Sequence, residues 1–153
     1  LGLSTPAPEL AQELLGLMLA SKLDYTIFFR QLSELPTTIE PLKTSFYAGS
    51  TEELDGKWSS WLQRWRELLE SQGDLDGASA AMKRANPAIT WREWLVAPAY
   101  EQAREGDTTL IKELQQVFST PYQEPPAELA RYDQLKPREF FNAGGVSHYS
   151  CSS

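Results

Sequence analysis

The sequence predicts an all-α fold with an extended C-terminal tail, on three observations. Apolar residues recur with the 3.6-residue helical period over most of the first 121 residues. Helix start and stop residues bracket those segments. From Tyr122 onward the period decays, and Pro125-Pro126, Pro137 and Gly144-Gly145 punctuate the chain. The expected division is a helical domain over 1–121 and a tail with little regular structure over 122–153. No internal repeat, low-complexity tract or strand pattern competes with this reading.

Thr5-Pro6 fits an N-cap followed by proline at the first helical position. Leu10, Leu14, Leu17 and Met18 then mark an apolar face, and Lys22 lies near the helix end. The apolar run from Leu14 to Ala20 reads as part of that one face. Asp24 can cap a second helix, with Tyr25, Phe28, Phe29 and Leu32 pointing inward and Pro36 stopping it. Pro41 to Tyr47 is either one short helical turn or a loop. Ser50 and Glu53 form a capping-box pattern that opens the strongest helix, about Thr51 to Gln72. Trp58, Trp61, Leu62, Trp65 and Leu69 make one continuous stripe along it, and Gly73 fits the position just past its end. A further helix over about Leu75 to Ala85 stops at Asn86-Pro87, because the residue before proline is pushed out of the α region. Trp91 to Arg104 is helical, with Pro98 as either a kink or a break. Gly106 ends it. Asp107 can cap the last helix, Thr108 to Phe118, whose buried side is Leu110, Leu114, Val117 and Phe118.

The 153 residues suffice for one domain with a real core, and 41% hydrophobic with 23% charged residues is ordinary globular composition. Lys+Arg number 14 against 21 Asp+Glu, a net charge of −7, so a nucleic-acid backbone is an unsuitable partner. No apolar run approaches the roughly 20 residues of a membrane span. One cysteine cannot make an internal disulfide, so a reducing compartment is the default. Residue 1 is Leu and no leader pattern follows it, so the chain is either processed or a piece of something longer, and the piece is the favoured reading.

The helical spacing of the tryptophan stripe fits core packing better than a stacking platform for a ring-shaped ligand, and Trp91 with Trp94 reads the same way. Glu52, Glu53 and Asp55 crowd a helix start, where the dipole favours negative charge; Asp74 and Asp76 flank a turn. Neither set has a calcium-loop pattern. His148 and Cys151 are spaced H-x-x-C, but zinc needs three or four such ligands and the chain has one of each. Nucleophilic catalysis by Cys151 would need a rigidly held base, which a terminal tail does not supply. There is no phosphate-binding glycine loop. Gly144-Gly145 reads as a flexible joint. No catalytic, cofactor-binding or metal-ligating residue is expected in this segment.

Met82-Lys83-Arg84-Ala85-Asn86-Pro87, then Arg92, Ala103, Gly106-Asp107, Leu114, Pro121-Tyr122 and finally Cys151-Ser152-Ser153 together resemble the C-terminal end of the selenoprotein O family. There the pattern runs roughly M-x-x-x-N-P-x-x-x-x-R, an alanine-rich helix into G-D, a short helix into P-Y, and a terminal C-S-S or U-S-S. The opening "LGL" and the stretch "LDYTIFFRQLSEL" are similar to that family as well. The resemblance covers nearly the whole chain but only the C-terminal part of the family's proteins. Two features depart from it: Arg92 is followed by Glu93-Trp94-Leu95-Val96-Ala97 instead of the family's asparagine, aromatic and L-A-Q, and Pro98 interrupts the helix.

The resemblance implies an irregular helical region appended to a protein-kinase-like fold. That upstream domain would bind ATP in a flipped orientation with Mg2+ or Mn2+. It would transfer AMP to Ser, Thr or Tyr hydroxyls of protein substrates. None of its catalytic or metal residues maps onto 1–153. The residue that carries over is Cys151, in the family's terminal Cys or selenocysteine position, which is linked to redox control through a disulfide with a second cysteine in the kinase-like part. The implied partners are that upstream domain and the protein substrates, with no nucleic acid and no membrane. The implied compartment is the cytoplasm in bacteria and the mitochondrion in eukaryotes. The rival reading is a free-standing α-helical protein-interaction module.

Overall fold

A computed structural model describes residues 1–142. Those residues are all-α: six α-helices and three 3-10 segments, with no strand and one isolated antiparallel bridge, Leu23 to Phe46. The chain divides into two compact units, Leu1–Pro87 and a second that begins at Ala88. Gly144-Gly145, His148 and Cys151 lie outside the described residues.

The first unit holds α1 (Pro8–Ser21), α2 (Tyr25–Leu32), a 3-10 segment over Glu40–Ser45, α3 (Glu52–Ser71) and α4 (Leu75–Ala85). The open choice at Pro41 to Tyr47 thus resolves to a helical turn. Trp58, Trp61 and Trp65 on α3 are completely buried. Trp61 and Trp65 stack with ring centroids 5.9 Å apart, and Trp58 meets Trp61 edge-on at 6.0 Å. Burying an indole requires a partner for its N–H, and each one donates: Trp58 to Ser21 Oγ at 2.8 Å, Trp61 to the Leu10 carbonyl and Trp65 to the Leu1 carbonyl, both at 2.9 Å. The stripe is core, not a ligand platform.

Several helix starts shift by a residue or two, for local reasons. Thr5 does not cap α1. In Pro6-Ala7-Pro8, Ala7 precedes a proline and is held out of the helical region at φ −131°, so Pro8 becomes the first helical residue. The Ser50 capping box does not form. Thr51 caps α3 instead, its hydroxyl accepting from the Leu54 N–H at 3.3 Å. Asp24 caps α2 as expected, accepting from Ile27 N–H at 3.1 Å. Tyr25, however, points outward and is 63% exposed; Ile27 and Arg30 join Phe28 and Leu32 on the buried side. Asp74 caps α4 through the Gly77 N–H at 2.8 Å, and α4 stops at Ala85 before Asn86-Pro87.

The second unit holds α5 (Glu93–Arg104), α6 (Thr109–Ser119) and 3-10 segments over Ala127–Tyr132 and Arg138–Phe140. α5 begins after an extended Arg92, so Trp91 falls outside it. The core reading of Trp91 is corrected: it is 59% exposed, whereas Trp94 is half-buried and meets Phe140 at 5.9 Å. Pro98 sits inside α5 without breaking it. Asp107 supports the start of α6 by accepting from Thr109 N–H at 2.9 Å, although Thr108 occupies the cap position. Leu114 and Val117 are buried; Leu110 and Phe118 are half-buried and pack against them. Leu129 and Tyr132 also enter this core, so the 127–132 turn is packed structure, which its short length after Pro125-Pro126 conceals.

Candidate functional site

The segments that carry the family resemblance converge in the first unit on the end of α4. Met82 is buried at 1% exposure and lies against Gly2, whose φ is +72°. A Cβ at Gly2 would stand 2.8 Å from Met82 Sδ, so the second residue of "LGL" must be glycine both for its backbone and for its space. Arg30, from "FFRQL", is 9% exposed, and its guanidinium donates to the carbonyls of Lys83 at 3.1 Å and Asn86 at 3.3 Å. A helix end leaves carbonyls without intrahelical partners, and a buried cation satisfies two of them here while matching the negative end of the dipole. Ser33 completes the junction. Its hydroxyl donates to Phe29 O at 2.8 Å and accepts from Asn86 Nδ2 at 3.3 Å, and its carbonyl accepts from Ser79 Oγ at 2.7 Å. Lys83 pairs with Glu34 at 2.7 Å on the rim.

The second unit shows the same pattern. Pro121 O accepts from the N–H groups of Ala88 at 2.8 Å and Ile89 at 3.4 Å, so the P-Y motif holds the strand of chain that follows N-P. Gly106 takes φ +93° to end α5, and Asp107 starts α6. Each motif residue with a visible partner performs a structural task.

The electrostatics point the same way. Lys43 hydrogen-bonds Asp55 at 2.6 Å and Glu40 at 2.8 Å; this holds the Asp55 carboxyl below its usual range and raises the Lys43 ammonium. Glu40 and Asp55 line a groove of about 750 Å³ together with Arg66, Glu67 and Glu70. Glu113 accepts from the Tyr132 hydroxyl and from Arg131, which lowers its carboxyl and ties α6 to the 127–132 turn. Burial and the Glu113 contact push the Tyr132 hydroxyl up. Among the described residues, no group of three or more His, Cys, Asp or Glu could hold a metal ion. No described helix is long and apolar enough to cross a membrane. Cys151, the one redox candidate in the sequence, lies outside the described residues.

Sequence reasoning missed Arg30 and Ser33. A signal existed: Arg30 stands three residues after Ile27 and two before Leu32, inside the apolar stripe of α2. An arginine on a buried face needs acceptors.

The comparisons with known proteins place this helical chain in a family. The family model "Protein adenylyltransferase SelO" matches residues 1–119. The chain belongs to this family of protein nucleotidyltransferases. A "Protein nucleotidyltransferase YdiU" from Rhizobium etli (strain CIAT 652) is 38% identical over 133 residues, covering 86% of this chain and 26% of that protein. Proteins of the same name from Methylobacillus flagellatus and Pseudomonas aeruginosa (strain LESB58) are each 33% identical. They cover 94% and 100% of this chain, and 29% and 30% of their own lengths. The chain therefore spans between a quarter and a third of the length of these relatives.

Proposed function

We propose that this chain is the C-terminal helical and redox-regulatory segment of a protein adenylyltransferase. The whole protein transfers AMP from ATP, with Mg2+ or Mn2+, to Ser, Thr or Tyr hydroxyls of proteins. The catalytic machinery lies in an upstream kinase-like domain; residues 1–153 brace that domain and bind no nucleotide themselves. Cys151 is the regulatory thiol. A disulfide oxidant supplies the two-electron oxidation: one cysteine thiolate attacks it and displaces one thiol, the second cysteine's thiolate then attacks the mixed disulfide and displaces the other, leaving Cys151 disulfide-bonded and two reduced thiols released. A crosslink closing a long loop restricts the chain strongly, by a mechanism that is model-dependent.

The observation that carries this reading is the family match over residues 1–119 in a chain spanning about 26–30% of its relatives. The packing roles of Gly2, Arg30, Ser33, Met82 and Asn86 support it. The test is AMP transfer followed by mass spectrometry. With ATP and Mg2+, the full-length protein should add AMP to hydroxyl side chains, and the 153-residue chain should add none and show no micromolar ATP affinity. Cys151→Ser should leave basal transfer unchanged and abolish its response to a thiol oxidant. A magnesium-dependent micromolar ATP affinity of residues 1–153 would overturn the assignment of the chemistry to the upstream domain.

A further inference from the structure

The end of α1 is apolar on every side. Leu14 to Ala20 is seven residues without a polar side chain, too many to fit one face of a helix. The sequence reading placed the run on one face; the structure divides it between two. Leu14, Leu17 and Met18 are buried, while Leu15 is 55% and Leu19 80% exposed. Leu15 and Leu19 are four residues apart and so share a face. That face continues from Ala11, which borders a groove lined by Leu1, Leu3 and Pro8. A helix that is hydrophobic all round belongs in the interior of a larger protein, and this chain covers only 26–30% of its relatives' lengths.

We propose that the Leu15–Leu19 face of α1 is an interior contact, covered by an apolar surface from the remainder of the same full-length polypeptide. This rests on the reading of the chain as one region of a longer family protein. The face carries no charge from Leu14 to Ser21, and exposed Lys22 lies just beyond its end, so a charged ligand or partner has little to pair with there. Two leucines one turn apart also fall far short of the roughly 1,000 Å² that a stable contact between separate molecules needs. A contact within one chain does not bear the entropy cost of association, so a strip of this size suffices.

The experiment uses the full-length protein with a photoreactive benzophenone amino acid at Leu19. Irradiation should give adducts to peptides outside residues 1–153. Adducts to residues 88–153, adducts between isotopically heavy and light copies, or no adduct at all would overturn the proposal. A second measurement avoids the bulky probe. In a background without other reactive thiols, Leu19→Cys should react with a maleimide at least about tenfold slower than Ala80→Cys on the exposed side of α4, as a covered site opens rarely. Equal rates would overturn it. Neither readout uses AMP transfer. An uncovered face in an active enzyme defeats this inference alone, and a covered face in an inactive protein defeats only the proposed reaction.

Discussion

Replacing Arg30 by alanine removes a buried cation that serves two carbonyls at the end of α4. A hydrogen bond from a charged donor is worth about 1.5–3 kcal/mol when its partner is fully buried. The contacts to Lys83 O and Asn86 O are on the long side, at 3.1 and 3.3 Å, and they are partly buried. Water can therefore replace part of each, and the two together give a loss of about 2–3 kcal/mol. That corresponds to roughly 30- to 150-fold more frequent opening of α4. Hydrogen exchange followed by mass spectrometry on peptides covering 75–87 reads this directly, without assuming that the whole chain unfolds in one step. Both bonds come from the one nitrogen Nη1, held in the guanidinium plane; Arg30→Lys keeps the charge but loses that fixed planar geometry, so it should fall between the two. If Arg30→Ala leaves exchange in α4 within about threefold of the parent, the arginine does not hold the helix end and the account of this junction is wrong.

Trp61→Phe should cost about 2 kcal/mol, because the Leu10 carbonyl loses its buried donor; an unchanged urea midpoint would refute this. Gly77→Ala should give no net gain. Alanine favours a helix by up to about 1 kcal/mol, but its Cβ would lie 2.0 Å from Asp74 Oδ2 and disturb a cap of similar worth. A clear rise in melting temperature would contradict that balance. The second unit should lose stability in acid through Glu113. Its carboxyl is lowered in the folded state by the Tyr132 hydroxyl first and then by Arg131. The stabilisation is therefore present above the ordinary value of 4.5 and is lost as pH falls through the lower folded value. Glu113→Gln should flatten that loss in exchange at 127–132; an unaltered pH profile would exclude the link.

The helices were legible because their signals are local. The tryptophan stripe of α3, the Asp24 and Asp74 caps and the Asn86-Pro87 stop all depend on neighbours within a few residues. What stayed hidden depends on distant residues or on competing local rules. Tyr25 and Ile27 are both plausible inward positions in a short helix, and only the position of α2 against the core decides between them. The 127–132 turn buries Leu129 and Tyr132, a single i, i+3 pair in six residues, too short a segment to establish a period. Ser50 and Thr51 are both good caps, and the helix starts after the second. At the candidate site, the sequence revealed the motif segments through resemblance but not their mutual contacts. Arg30, Ser33 and Asn86 are more than fifty residues apart at their extremes, and no spacing rule joins them.

The most direct test of the central claim is a non-reducing intact-mass measurement and peptide map of the native protein from its source cells. The expected result is a species several times larger than 17.2 kDa in which Cys151 is disulfide-linked to a cysteine outside residues 1–153. A native product of 17.2 kDa with a free Cys151 thiol would contradict it and leave a free-standing helical interaction module as the reading to pursue.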